Sequence, residues 1–211
     1  MPRITMRTLL RRKRFWAGVG FVVYTLFGFF VAPGIVRVRC TVDCAGRSDS
    51  GMTHAATFTI FGNGAIDVAN QVRPYGNLGV LPKLGVSLVL PQAFDTLTWL
   101  GRGPHESYVD RKRSTDVGLY RGKVAEQYER YVRPQENGNK TDVRWLALTN
   151  EDGTGLLMAG DPLLEAGAGH YSAADLYAAF HTNELTRRDE VFVTLDAAQC
   201  GLGGASCGPI T

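Results

Sequence analysis

Helical periodicity is scarce in this sequence: apolar residues recur at three- and four-residue spacing only over short stretches, which excludes a helix bundle. Cysteine is sparse as well, with four in 211 residues. A chain of that length buries most of its apolar surface without staples, so a disulfide-dependent fold is not required. No acidic residue precedes Asp43. Arg3, Arg7, Arg11, Arg12, Lys13 and Arg14 therefore carry +6 unopposed, and against a whole-chain charge of +3 the remainder stands at −3. The cations of that remainder alternate with Asp and Glu, so the clustered positive face that phosphate backbones need is missing and no nucleic-acid partner is expected. A phosphate loop, a dinucleotide fingerprint, an internal repeat and a low-complexity tract are missing too. The 45% hydrophobic and 20% charged residues, with 25 glycines, describe a globular, turn-rich domain.

Behind the basic segment, residues 1–14, runs FWAGVGFVVYTLFGFFVA at 15–32, eighteen residues without a charge. That length just spans a bilayer, and six cations before it against Arg37 and Arg39 after it set its amino end in the cytoplasm. It is a candidate transmembrane anchor; the alternatives are a buried apolar hairpin or an unrelated start joined to the domain. Residues 33–54, with Cys40, Cys44, Asp49, Ser50 and Gly51, read as a linker. Cys40 and Cys44 lack a matching ligand pair elsewhere, so no metal site is expected.

From residue 55 onward, short β-branched and aromatic runs alternate with turn chemistry. ATFTIF stops at Gly62-Asn63-Gly64 and AIDVANQV resumes, a β-hairpin pattern. Leu84, Val86, Leu88 and Leu90 share one face of the next strand, and residues 95–100 form another. Further strands are expected at 142–148, 155–159 and 190–195, the first closed by the turn Asn150-Glu151-Asp152-Gly153. One short helix interrupts them: Ser172 caps it, Asp175 holds the capping-box position, and ADLYAAF follows; it is expected across a sheet edge. A mainly β fold of packed antiparallel sheets accounts for this pattern.

Three polar motifs exceed what strands and turns require. In GRGPHESYVDR (101–111), Glu106 and Asp110 could form an acid–base pair, but each lies near an arginine; such pairing makes a weak general acid, so an ion-paired loop is favoured. YVRPQENGNKTDVRW (131–145) concentrates hydrogen-bonding groups between Tyr131 and Trp145 and reads either as a sugar-binding set or as a self-satisfied turn. ELTRRDE (184–190) reads as a charged strand entrance. His54, His105, His170 and His181 fall in separate segments and assemble no relay.

GRGPHESYVDRK, YVRPQENGNKTDVRWLAL, HTNELTRRDEV and LDAAQCGLGGASCGP resemble, in order and spacing, the carboxy-terminal small-chain domain of β-galactosidases of glycoside hydrolase family 2. The resemblance covers about residues 55–211. It implies an antiparallel β-supersandwich, galactose-mutarotase-like, with one short helix. It also implies retaining hydrolysis of β-galactosides such as lactose by two glutamates that, with Mg²⁺ and Na⁺ ligands, lie in a (β/α)₈ barrel outside this chain. No catalytic residue and no cofactor or metal ligand is therefore expected here. One contribution carries over: the loop resembling GGASCGP reaches the sugar pocket, and Cys207 falls where some members hold a stacking aromatic ring. A thiol cannot stack as a ring does.

The resemblance further implies partners: a β-galactoside sugar, and a large chain carrying the barrel or a homo-oligomer of the full enzyme, in the cytoplasm unless 15–32 anchors the chain to a membrane. The family domain continues past Thr211, so a carboxy-terminal truncation is expected. The alternatives are a stand-alone carbohydrate-binding or mutarotase-like sandwich, and a non-functional remnant.

Overall fold

The computed structural model describes residues 3–9, 34–46, 49–79 and 81–201, and of residues 3–9 the backbone path alone. The apolar segment 15–32, Cys207 and the expected truncation after it lie outside the described residues. Ten strands follow in chain order: β1 (Arg3–Leu9), β2 (Ile35–Ala45), β3 (Gly51–Phe61), β4 (Ala65–Tyr75), β5 (Lys83–Leu90), β6 (Thr96–Gly103), β7 (Asp116–Lys123), β8 (Lys140–Thr149), β9 (Gly155–Gly169) and β10 (Val191–Gln199). A single short helix, α1 (Ala173–Ala178), lies between the last two.

Turn chemistry places the best-formed hairpin. Gly64 adopts φ +85°, its N–H donates to Phe61 O at 3.0 Å, and Asn63 Oδ1 accepts from Ala65 N at 3.0 Å. β3 and β4 then pair from Ile60↔Ile66 to Gly51↔Tyr75. The strands run β2-β3-β4-β1-β9-β8-β6-β7, with β10 on β9 and β5 on β10, and every ladder is antiparallel.

The long strand β9 is the branch point. Its first half lies between β1 and β8, and its second half pairs with β10 from Phe192↔Gly169 to Asp196↔Glu165. Gly160 permits close packing there, because a Cβ at that position would run into the Leu164 side chain. β8 bulges opposite, between Lys140 and Val143 and again before Trp145.

One apolar cluster joins Leu97 and Trp99 of β6, Leu146 and Leu148 of β8, and Val191, Val193 and Leu195 of β10. β6 and β10 are not hydrogen-bonded neighbours, so their side chains meet because the sheet folds over and its layers face each other. Each fully buried Leu or Val contributes about 1.5–3 kcal/mol. Val86, Leu88 and Leu90 of β5 pack on this cluster while Val89 points out, the alternation expected of the sequence. The fold is mainly β and antiparallel, of the galactose-mutarotase-like supersandwich type.

Two local expectations are corrected, and two strands are added to those expected. Residues 33–54 are not a linker, since β2 and the start of β3 occupy them; β2 is largely exposed and so lacks the apolar alternation that marks a half-buried strand. The basic segment contributes a strand that was not expected, since β1 pairs with β4 and β9. β7 joins the sheet edge, its charged and apolar residues both facing outward and masking its period. The helix α1 is capped as expected, with Ser172 Oγ accepting from Asp175 N at 3.1 Å, but none of its residues is buried and no packing across a sheet edge follows. Among the described residues no helix is long and apolar enough to cross a membrane.

Candidate functional site

Two of the three polar motifs, 101–111 and 131–145, converge at one end of the sandwich. Glu106, in the loop after β6, has a side chain only 8% exposed. It accepts from Arg111 Nη2 at 2.7 Å, from the Gly138 N–H at 2.7 Å, and from the Tyr131 hydroxyl. Arg111 also donates to the Tyr131 hydroxyl at 2.9 Å and lies over the Tyr108 ring at 4.8 Å. Gly138 must be glycine to close this clamp: its φ is +74°, and a Cβ there would stand 2.5 Å from Gln127 O.

Adjacent residues zip the two loops together. Ser107 N donates to Asn139 O at 2.8 Å, Asn139 Nδ2 returns to Ser107 O at 2.9 Å, and the Ser107 and Thr141 hydroxyls meet at 2.8 Å. Asn139 reaches on to Glu165 of β9 at 3.0 Å. Asp142, at φ +54°, accepts from Arg102 and from Lys112 Nζ at 2.8 Å. Against the burial that opposes it, Lys112 and Arg102 hold the Asp142 carboxyl below its ordinary value.

A second polar group lies where β5 and β10 meet this end. Lys83 Nζ stands 3.4 Å from Glu136 and 3.2 Å from Asp196, which is 2% exposed. Burial pushes both carboxyls up, with Lys83 opposing. Burial pushes Glu165 up too, while the Asn139 bond opposes. Lys140 is 3% exposed, carries its ammonium 5.2 Å over the Trp99 ring, and is pushed down by burial to about 8 although Glu106 and Glu129 favour its charge. The exit of β10 is fixed by Gly201, at φ +80°, where a Cβ would fall 2.6 Å from Asp110 Oδ1.

Glu106 and Asp110 therefore do not form an acid–base pair facing a cleft: Glu106 is saturated by donors and Asp110 borders Gly201. Tyr131 joins the clamp, whereas Trp145 sits in β8 between Leu100 and Ala159. The 184–190 motif does more than open a strand. Arg188 grips both Asp175 oxygens at 2.7 Å, and Arg187 donates to His170 Nε2 at 2.9 Å, tying the motif to α1 and to the end of β9. The Arg188 contact holds Asp175 well below the usual carboxylate range. The four histidines each bond elsewhere, to Asn70, Ser114, Glu190 O with Arg187, and Glu184. No group of three or more metal-ligating side chains occurs among the described residues, where Cys40, Cys44 and Cys200 are free. Sequence reasoning missed Lys83 and Asp196: both have the opposite parity to the core-facing Val86 and Leu88 of β5 and Val193 and Leu195 of β10, so alternation carries no signal for them.

The arrangement is a structural brace at one end of a mutarotase-like sandwich. Residues 23–211 match the family described as β-galactosidase small chain, and the chain belongs to that family. It is 42% identical over 148 residues to a β-galactosidase of Priestia megaterium, covering 70% of this chain and 14% of that protein. A β-galactosidase of Arthrobacter sp. is 38% identical over 135 residues, 62% of this chain and 13% of its own length. One of Lactobacillus delbrueckii subsp. bulgaricus is 38% identical over 170 residues, 81% and 16% respectively. The chain thus spans about a seventh of the length of the curated relatives it matches.

Proposed function

We propose that this chain is the small-chain module of a β-galactosidase, acting on terminal β-galactosides such as lactose together with a large chain that carries the catalytic barrel. The observation that carries this reading is the brace: the motif loops 101–111 and 131–145 lock to each other through Glu106, and the backbone leaving β10 passes close beside Asp110 at Gly201. Such a brace gives the residues that follow Gly201, Cys207 among them, a fixed point of departure toward a sugar pocket completed by another chain. On this reading the nucleophile, the general acid and the Mg²⁺ and Na⁺ ligands all reside in the barrel, and the site of action is the cytoplasm.

A second reading, a free-standing carbohydrate-binding sandwich, draws on one feature. An open cleft of about 410 Å³ between α1 and residues 184–188 is lined by Asp175, Ala178, Glu184, Thr186 and Arg188. Tyr177 of α1 and Phe180 just after it stand exposed nearby.

Hydrolysis of a chromogenic β-galactoside by the purified chain, with and without a large-chain fragment lacking this domain, separates the readings. Activity only in the mixture is expected. Activity of the chain alone would overturn the assignment of catalysis to the barrel, and silence in both, with galactose bound by the chain alone, would favour the second reading.

A further inference from the structure

The sheet ends at β2, which among the described residues has β3 as its one neighbour. We propose that β2 is a self-pairing edge, through which two copies of this chain join their sheets about a two-fold axis at Cys40.

The hydrogen-bond parity decides which groups face outward. The Gly62 N–H donates to Gly34 O at 2.7 Å, and the ladder continues from Ile35↔Phe61 to Ala45↔Gly51. Even-numbered residues of β2 thus turn their amides and carbonyls to β3, and odd-numbered ones turn theirs away. An unpaired row of this kind is a template for another strand.

An antiparallel pairing that matches outward groups and uses all of β2 sets Arg37 against Asp43 of the second copy, Val38 against Val42, and Cys40 against itself. The two-fold axis makes the Arg37–Asp43 pair twice. Asp43 is available for it: the Tyr75 hydroxyl donates to Oδ1 at 3.1 Å, which leaves Oδ2 for the guanidinium. Val42 is 51% exposed and Ile35 39%, and the pairing covers both. Slipping by two residues in one direction sets Arg39 against Arg39. Slipping in the other direction exchanges the Arg37–Asp43 pair for Arg39–Asp43 and leaves Ile35 without a partner. Charge excludes the first slip, and the length of strand paired, all of β2, selects the register centred on Cys40 over the second. This inference does not depend on a barrel-bearing partner.

Sedimentation equilibrium of the full chain over a range of concentrations, under reducing conditions, is expected to show a monomer–dimer equilibrium. Arg37→Asp should raise the dimer dissociation constant at least tenfold, and Arg37→Asp with Asp43→Arg should restore it, while Arg39→Asp has a smaller effect. Diamide, which takes up the two hydrogens of a thiol pair, should link the copies through Cys40. The link should survive Cys44→Ser and vanish with Cys40→Ser. A monomer at every concentration overturns the proposal. So does a link that persists in Cys40→Ser, or a double charge reversal that stays monomeric with an unchanged circular dichroism spectrum.

Discussion

Glu106 acts as a strut, since its contacts with Tyr131 and Gly138 tie the loop after β6 to the loop before β8 while Arg111 of its own loop holds it in place. Replacing it with Ala leaves the Gly138 N–H and the Tyr131 hydroxyl without their acceptor, and hydrogen bonds to a charged group are worth roughly 1.5–3 kcal/mol. Glu106→Ala is expected to lower stability by about 2–3 kcal/mol in urea denaturation. That the loop would be ion-paired was legible in the sequence; that Arg111 rather than the nearer Arg102 takes Glu106, and that Tyr131 and Gly138 join it, was not, because only folding sets these groups side by side. Lys140 gives a test of opposite sense. Its folded value of about 8 lies below the 10.5 of the free side chain, so the unfolded chain binds the proton more tightly and stability rises with pH between the two. The full gain is about 3 kcal/mol. Urea denaturation at pH 7 and pH 10 should show wild type gaining on Lys140→Met as the pH rises.

At the scale of the element, the β5–β10 pair is held at one contact more tightly than its hydrophobic pattern reveals. Gly85 lies opposite Asp196, and a Cβ there would collide with the Asp196 carboxylate and the Leu195 carbonyl. Gly85→Ala is expected to cost several kcal/mol, on the order of the overpacking and backbone-strain class, and to lower the thermal midpoint accordingly. The helix α1 behaves differently because none of its residues is buried. Asp175→Asn removes the charge that Arg188 grips and weakens the Ser172 cap. Amide exchange is expected to quicken across residues 172–188 while the global denaturation midpoint stays within about 0.5 kcal/mol of wild type. The cap was legible as Ser172 followed by Asp175; the arginine that secures it lies beyond the turn and was read only as a charge at a strand entrance.

The whole molecule carries carboxyls shifted in both directions. Burial raises Asp196, Glu136 and Glu165, so the folded chain holds their protons more tightly and stability rises as pH falls through their folded values. Asp142 and Asp175 are depressed, so the stability they contribute is present above the ordinary carboxylate range and lost as pH falls below it. The thermal midpoint is therefore expected to hold or rise from neutral pH into the mildly acidic range, then fall. Asp196→Asn with Glu136→Gln should flatten the rise, as read by circular dichroism. By itself, the sequence determined the antiparallel β class, the Gly62–Gly64 hairpin, the inward face of β5, the helix cap and, through its polar motifs, the family. These are local or periodic signals, set by turn conformations and by two-residue alternation. Only the tertiary structure decided that 35–45 is an edge strand, that β1 lies between β4 and β9, and that Glu106 braces two loops while Lys83 joins Glu136 to Asp196. Those are pairings between distant segments, and a sequence read along its length does not carry the register that brings them together.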